Sequence, residues 1–425
     1  MSSHAHSHGP DPDAPPPTEE ALGRRRRAVW LMLLLLVPVG LATVIGLVAL
    51  WPSGEPTRAE LAAEQALPPG TTYPDGRIVS VETFDCGVDP DPTAPPQTCA
   101  TAVVEVLGGE GAGDFEQIDM PPEVVAAGVS EGDTLVLTRD ASAEGGPTYA
   151  FYDYARDAPI IVLAVAFAVV VGVVARLRGL ASLLGLAFAF FVLLQFMLPG
   201  LLSEDSPTLV SLVGSAAIMF VVLYLAHGFT ARTTTALVGT LFGLTMVAVM
   251  GSLAVSAARL TGLTSDDAFT LQRFDPTLDF SGLVLAGVVV AGLGVLNDVT
   301  ITQASAIWQL HEVSPEMTWR ELYTRGMAVG RDHIASTVYT IVFAYAGAAL
   351  PLLLLLEIYA TPVWTLVTSA ALAEEVIRTL VGAIALVLAV PVTTAAGAFF
   401  AKAADTQAGA ATERSLTALR ARFAR

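Results

Sequence analysis

The sequence predicts an all-α transmembrane bundle of about eight helices, with a small extracytoplasmic β-rich domain between the first helix and the second. Three observations carry that prediction. Hydrophobic residues make up 53% of the 425 and charged residues only 15%. A soluble domain carries about 25% charge, so long stretches of this chain are built to avoid water. The acidity is local: residues 52–157 hold 20 Asp and Glu against 4 Arg, a net of −16 in a chain of net −18. The loops between apolar runs alternate in charge, basic on one side and acidic on the other. Bulk acidity of this size also argues against a nucleic-acid partner.

Residues 1–27 read as a disordered cytoplasmic tail, rich in Pro, His, Asp and Glu and lacking an apolar period. His4, His6 and His8 alternate in it; a solvated tail is the plainer reading than a metal site. The block Arg24–Arg27 precedes an apolar run over 28–50. That run exceeds the roughly 7–15 apolar residues of a signal peptide. It is expected to be a retained first helix, with the Arg block holding the N-terminus inside.

The segment 51–157 carries the strand signals. Runs at 77–82 and 101–106 are rich in β-branched residues, a Gly132-Asp133 turn leads into a strand through Leu137, and 149–154 is aromatic. Short strands parted by Gly, Pro and Asp turns suggest a small barrel or sandwich. The only two cysteines, Cys86 and Cys99, flank a loop with Pro90, Pro92, Pro95 and Pro96. Outside the cytoplasm they are expected to form a disulfide, two free thiols being the alternative.

Seven further spans are expected at 158–175, 180–201, 209–226, 235–258, 280–296, 334–356 and 376–400, followed by a cytoplasmic tail over 401–425. Arg176, Arg178, Arg232, Arg320, Arg325, Arg331, Lys402 and Arg414 fall on the side of the N-terminus. Glu204, Asp205, Asp266, Asp267, Asp275, Asp279 and Glu357 fall on the other, with Arg259 and Arg273 dissenting. Both termini are therefore expected in the cytoplasm.

Polar groups in such helices are costly and so carry information. Asn297 and Asp298 end a Gly-rich apolar run, and helical spacing puts Asp298, Thr302 and Ser305 on one face. A carboxylate there accepts a proton or cation if it lies at membrane depth; the alternative is that the helix has reached the headgroups. Arg331, Asp332 and His333 open the next span, with Arg331 a partner for Asp298 or Asp332 and a stripe of Ser336, Thr337 and Thr340 beyond. A proton relay and a capped helix end both fit them. Glu374 and Glu375 stand four and three residues before Arg378. Pro391 kinks that last helix. Gly239 and Gly243 form a GxxxG, for which tight packing is the default reading and homo-oligomer contact the alternative. No phosphate loop, zinc helix or nucleophile elbow occurs, so no enzyme, cofactor or metal is expected.

From about 180 to 400 the chain resembles the YibE/F family of bacterial membrane proteins. The resemblance rests on Gly294-Val295-Leu296-Asn297-Asp298-Val299-Thr300-Ile301, on Gly326-Met327-Ala328-Val329-Gly330-Arg331-Asp332-His333-Ile334, on Ala344-Tyr345-Ala346-Gly347, and on Glu375, Arg378 and Pro391. It implies a multi-pass protein of the bacterial cell membrane with a large domain after its first helix, and no settled activity. Locally, Leu296 to Thr300 and the following Arg/Thr-rich helix start are also similar to SecF-type export proteins, which use the proton gradient; this chain has seven helices after its domain rather than five.

The expected function is an ion-gradient-driven secondary transporter or export-assisting permease. Asp298 would bind the ion, aided by Asn297 and Thr302, with Arg331 and Asp332 as charge partners and Glu375 and Arg378 completing the polar cluster. The outer domain would meet the substrate or an envelope partner. The alternative is a non-transporting scaffold or envelope sensor acting through that domain. The two differ in whether the polar residues line a cavity near the midplane of the bilayer.

Overall fold

The computed structural model describes residues 19–86, 97–143, 146–358 and 362–404. The chain divides into two compact units, Pro56–Val174 and the remainder. The first element, α1 (Glu19–Ala49), belongs to the second of these. It takes in residues 19–27 of the expected disordered tail, the Arg24–Arg27 block included, which are helical here; residues 1–18 lie outside the described residues.

The Pro56–Val174 unit starts with α2 (Arg58–Ala66), whose N-cap Thr57 and Glu60 form a capping box. Five strands follow: β1 (Asp75–Asp85), β2 (Thr98–Val106), β3 (Phe115–Met120), then, after the short helix α3 (Pro122–Ala126), β4 (Thr134–Asp140) and β5 (Thr148–Tyr154). The sheet is antiparallel with order β3-β2-β1-β4-β5. Its two edge strands, β3 and β5, pack against each other. The sheet is thus curled into a five-stranded barrel with the connectivity of an OB-type fold, a helix joining the third strand to the fourth.

Strand β1 belongs to both halves of the barrel: Asp75–Arg77 pair with β4, while the whole strand pairs with β2. A bulge between Ile78 and Ser80 lets it turn from one ladder to the other. Gly76 sits at this crowded point, where a Cβ would meet Val104 at 2.5 Å and Leu137 at 2.8 Å. The interior is aliphatic, with Ile78, Val104, Ile118, Leu135 and Leu137 all at 1% exposure or less. Each contributes about 1.5–3 kcal/mol of burial. Tyr154 donates a hydrogen bond to the Val124 carbonyl at 3.1 Å, tying β5 to α3. Cys86 and Cys99 are joined in a disulfide with Cα atoms 5.6 Å apart, where β1 leaves and β2 enters the barrel. The four strands expected from the sequence are present, and β3 is an addition.

Beyond the barrel, α4 (Asp157–Val192) is broken at Arg176, where φ is 54°. It continues through a π-helical turn, Leu193–Met197, into α5 (Leu198–Leu201). Then come α6 (Pro207–His227), α7 (Ala231–Ala257), α8 (Asp266–Phe274), α9 (Phe280–Val313), α10 (Trp319–Ala348), α11 (Leu350–Ile358), α12 (Val363–Val367) and α13 (Ala370–Ala404).

Among the described residues, six helical runs are long and apolar enough to cross a membrane: Met32–Ala49, Asp157–Leu201, Pro207–His227, Ala231–Ala257, Phe280–Val313 and Ala370–Ala403. The count differs from the eight expected for two reasons. Two expected spans, 158–175 and 180–201, fall on either side of the Arg176 break in one run. The span expected at 334–356 does not exist as one helix: α10 ends at Ala348 and α11 begins at Leu350. Helix α10 starts instead at a Thr318/Glu321 capping box, well before Ile334. The Thr318 backbone N–H and hydroxyl hold the Glu321 carboxyl below the usual carboxylate range.

Helix α9 is the hub of the bundle, packing on α6, α7, α10 and α13. Small residues set the distances. Gly243 receives Leu296, Gly239 receives Thr393 and Thr300, and Gly326 receives Ile307. The GxxxG of α7 is therefore used inside this chain, as close packing predicts.

Candidate functional site

The polar residues of the helical unit fall into three groups. The first is a buried seam. The hydroxyls of Thr240 on α7 and Thr300 on α9 are 2.6 Å apart. Gln303 donates from Nε2 to the Gly326 carbonyl at 2.9 Å and to Thr394 Oγ1 at 2.7 Å. Thr394 in turn donates to the Val390 carbonyl. These groups satisfy one another, so the seam reads as interhelical glue.

The second group faces the other way. On α9, Asp298 and Thr302 are exposed, whereas Val299, Thr300 and Gln303 are buried. The spacing of Gly287, Ala291, Gly294, Asp298 and Thr302 draws one stripe along the helix. Gly294 has open space where a Cβ would point. Asp298, Thr302 and Ser305 share a side of α9, as the spacing predicts; Ser305 is half-buried. Asn297, beside them, holds a buried Oδ1 with no hydrogen-bond partner among the described residues.

Helix α10 supplies the candidates Arg331 and Asp332, both exposed. Among the described residues the ion pairs are Arg139–Glu110, Arg156–Asp153 and Arg378–Glu375. The anticipated pairing of Arg331 with Asp298 or Asp332 is thus not formed. His333 is half-buried, with its Nε2 lacking a partner. Thr337 and Thr340 donate to the carbonyls of His333 and Ser336, one turn back along the same helix.

The third group lies near the start of α13. Arg378 pairs with Glu375 at 2.6 Å. Glu374 is buried, and its Oε2 accepts from the Thr264 hydroxyl at 3.0 Å. The guanidinium of Arg378 lies against Gly287, the outer member of the α9 stripe.

Contacts along the bundle fix relative levels. Pro207, at the start of α6, abuts Gly282 of α9. At the other end, Tyr224 of α6 hydrogen-bonds Thr234 of α7 at 3.1 Å. The adjacent Thr235 flanks Gly397 of α13, which also meets Ile307 of α9. Asp298 thus lies between the levels of the two ends of α6.

The sequence reading did not single out the Thr240–Thr300 contact or the Gln303 bonds. Their signal was available as a second polar face on α9, three residues apart and opposite to Asp298.

A family model for YibE/F-like proteins matches residues 163–403, more than half of the chain. No match stands behind the local resemblance to SecF-type proteins. No curated protein and no solved structure matches the chain.

Proposed function

Because the chain belongs to the YibE/F-like family through its helical bundle, we propose that it is a secondary transporter or export-assisting permease of the bacterial cell membrane, driven by an ion gradient. The termini are cytoplasmic in this reading, and the barrel meets substrate or an envelope partner outside.

The depth of Asp298 carries the proposal. Helix α6 has 21 residues, about 31 Å of helix, which is close to the thickness of a bilayer core. Its ends lie level with Gly282 and Ile307 of α9 through the contacts described above. Asp298 stands nine residues from Ile307, about 14 Å along the helix, and 16 residues from Gly282, about 24 Å, so it lies within the span and nearer its Ile307 end. The alternative of a helix end in the headgroups is disfavoured by this register. A charge facing lipid there costs at least about 2.5–3.5 kcal/mol. Such a carboxylate belongs in a water-filled cleft, and Gly294, one turn away, has open space beside it. Asp298 would bind the ion, with Asn297 and Thr302 as neighbouring oxygens. Arg331 and Asp332 would act on it across water rather than through an ion pair.

The test is Asp298→Asn in proteoliposomes carrying a trapped pH or Na⁺ indicator. Among the described residues Asp298 has no ion-pair partner to lose, so the variant is expected to accumulate and melt like the native protein. Gradient-driven ion uptake is expected to fall at least about tenfold, the equivalent of 1.4 kcal/mol in the barrier. Native flux in Asp298→Asn would refute the proposal.

The outward position of Arg331 and Asp332 supports a second reading, a scaffold in which another membrane protein or a second copy covers this face. Both native cysteines are in the disulfide, so Arg331→Cys provides a single new thiol. Efficient cross-linking of that variant in membranes, together with no gradient-driven ion flux in the native protein, would favour the scaffold.

A further inference from the structure

We propose that Glu374 is an outer loading site for one monovalent cation, H⁺ or Na⁺, at the head of the stripe that leads to Asp298. The proposal rests on the transporter reading and extends it to a second carboxylate.

Glu374 is 8% exposed, and only one of its two carboxylate oxygens is used. Oε2 accepts from Thr264, which belongs to the connection between α7 and α8. Oε1 is buried without a hydrogen-bond partner among the described residues. The obvious cation does not fill that position. Arg378, one turn along, gives Nη1 to Glu375 at 2.6 Å, rests its Nη2 side near Gly287, and leaves Nε buried without a partner. The group therefore contains two carboxylates and one guanidinium, with one negative charge uncompensated where water is scarce.

Among the described residues the ion pair at this group is Arg378–Glu375, and the further basic residue of the α7–α8 connection is Arg259, next to Leu260. The titratable neighbours of Glu374 are Glu375 and Arg378 on its own helix and, from α10, Tyr345, which interacts electrostatically with that pair. The α7–α8 connection brings the uncharged Thr264. Val255, Leu260, Val284 and Leu285 form an apolar wall against Ala373 and Ile377 on either side of Glu374. Helix α12, which also packs on α13, has no titratable side chain. A buried carboxylate in such a place must gain a proton or a metal cation, because an unpaired charge costs several kcal/mol there. The unused Oε1 is the atom that receives it.

Glu374 also has the right place for loading. It lies near the outer ends of α9 and α7, beneath the α7–α8 connection. Through Arg378 and Gly287 it joins the stripe on which Asp298 stands, 11 residues or about 16 Å further along α9. A cation entering from outside meets Glu374 first.

Dicyclohexylcarbodiimide tests this on the native full chain in its own membranes. The reagent is apolar and reacts with a protonated carboxyl. The acid proton passes to a carbodiimide nitrogen as the carboxyl oxygen bonds the central carbon, and the adduct rearranges to a stable N-acylurea with nothing released. Labelled positions are read by mass spectrometry of the digested protein. Glu374 is expected to be labelled, with labelling falling as the pH is raised, because only the protonated carboxyl reacts. Protection by NaCl but not by KCl at equal ionic strength identifies Na⁺ as the ligand; indifference to Na⁺ with the pH dependence retained identifies H⁺. Absence of labelling at Glu374, or labelling that responds to neither pH nor Na⁺, overturns the proposal. The same digest reports on Asp298. Titrating label at Asp298 without label at Glu374 would remove the outer site and leave the transporter reading standing.

Discussion

The barrel and the helical bundle solve burial in opposite ways. The barrel keeps its many carboxylates on the outside and closes around aliphatic side chains, with Ile118, Leu135 and Leu137 almost wholly hidden. The bundle has an apolar exterior and carries polar atoms within: Ser211, Ser215, Thr240, Thr300, Gln303, Thr393, Thr394 and Glu374 are all buried. Volume filling governs the first region, and close backbone approach with satisfied hydroxyls governs the second. The difference separates two kinds of buried polar group. Those in the Thr240, Thr300 and Gln303 seam bond one another, a carbonyl one turn back or, for Gln303, the Gly326 carbonyl of α10 and the Thr394 hydroxyl, so structure accounts for them. Asn297, His333, Glu374 and Arg378 each hold a buried atom without a hydrogen-bond partner among the described residues, and the packing described does not account for those.

Three substitutions test that contrast. The largest effect is expected in the barrel, where Leu137→Ala removes a side chain at 0% exposure and should cost about 2–5 kcal/mol. Limited proteolysis across a temperature series would localise the loss to the Pro56–Val174 unit. A cost within error would mean that the barrel core is not the close-packed interior described. Next comes Gly243→Val in the bundle. An added Cβ would run into the end of Leu296, and since Leu296 is a flexible side chain the expected cost is about 1–3 kcal/mol. It should appear as a lower melting temperature in detergent while the barrel stays resistant to protease. The smallest effect belongs to Thr240→Val. Its hydroxyl contacts Thr300, which also lies within 3.3 Å of the Asn297 carbonyl and can bond there instead. About 1 kcal/mol or less should be lost, measurable as a small shift in the same melting experiment. A loss as large as that of Leu137→Ala would show the seam to be more than glue.

Much of the architecture was legible in hydropathy and turn chemistry. The apolar runs located α1, α6, α7, α9 and α13, β-branched runs located β1, β2 and β4, and an aromatic run located β5. Strand β3 escaped because Phe-Glu-Gln-Ile-Asp-Met buries only Ile118 and Met120; its other positions look like loop. Helix α10 was cut short for a related reason. Arg320, Arg325, Arg331, Asp332 and His333 lower the hydropathy of its first half, although Leu322, Gly326, Gly330 and Ile341 form a buried face through it. At the site, i,i+3 spacing anticipated the Glu375–Arg378 pair, because neighbours on one helix need no tertiary information. The expected link from Arg331 to Asp298 required knowing which way two helices turn toward each other, which sequence spacing does not contain. Glu374 was visible as a residue, but its isolation under Thr264 was not, since that contact spans 110 positions.

The way the barrel closes limits how it can be recognised. A sheet with a free edge invites an extended peptide to join as a further strand, its main chain completing the ladder. Here, among the described residues, the two edges of the sheet are β3 and β5, and they lie against each other. A visiting peptide would have to part them before it could pair. Any envelope component that docks on this domain must therefore read side chains and loops, and its affinity should follow the chemistry of those surfaces while remaining indifferent to the visitor's backbone.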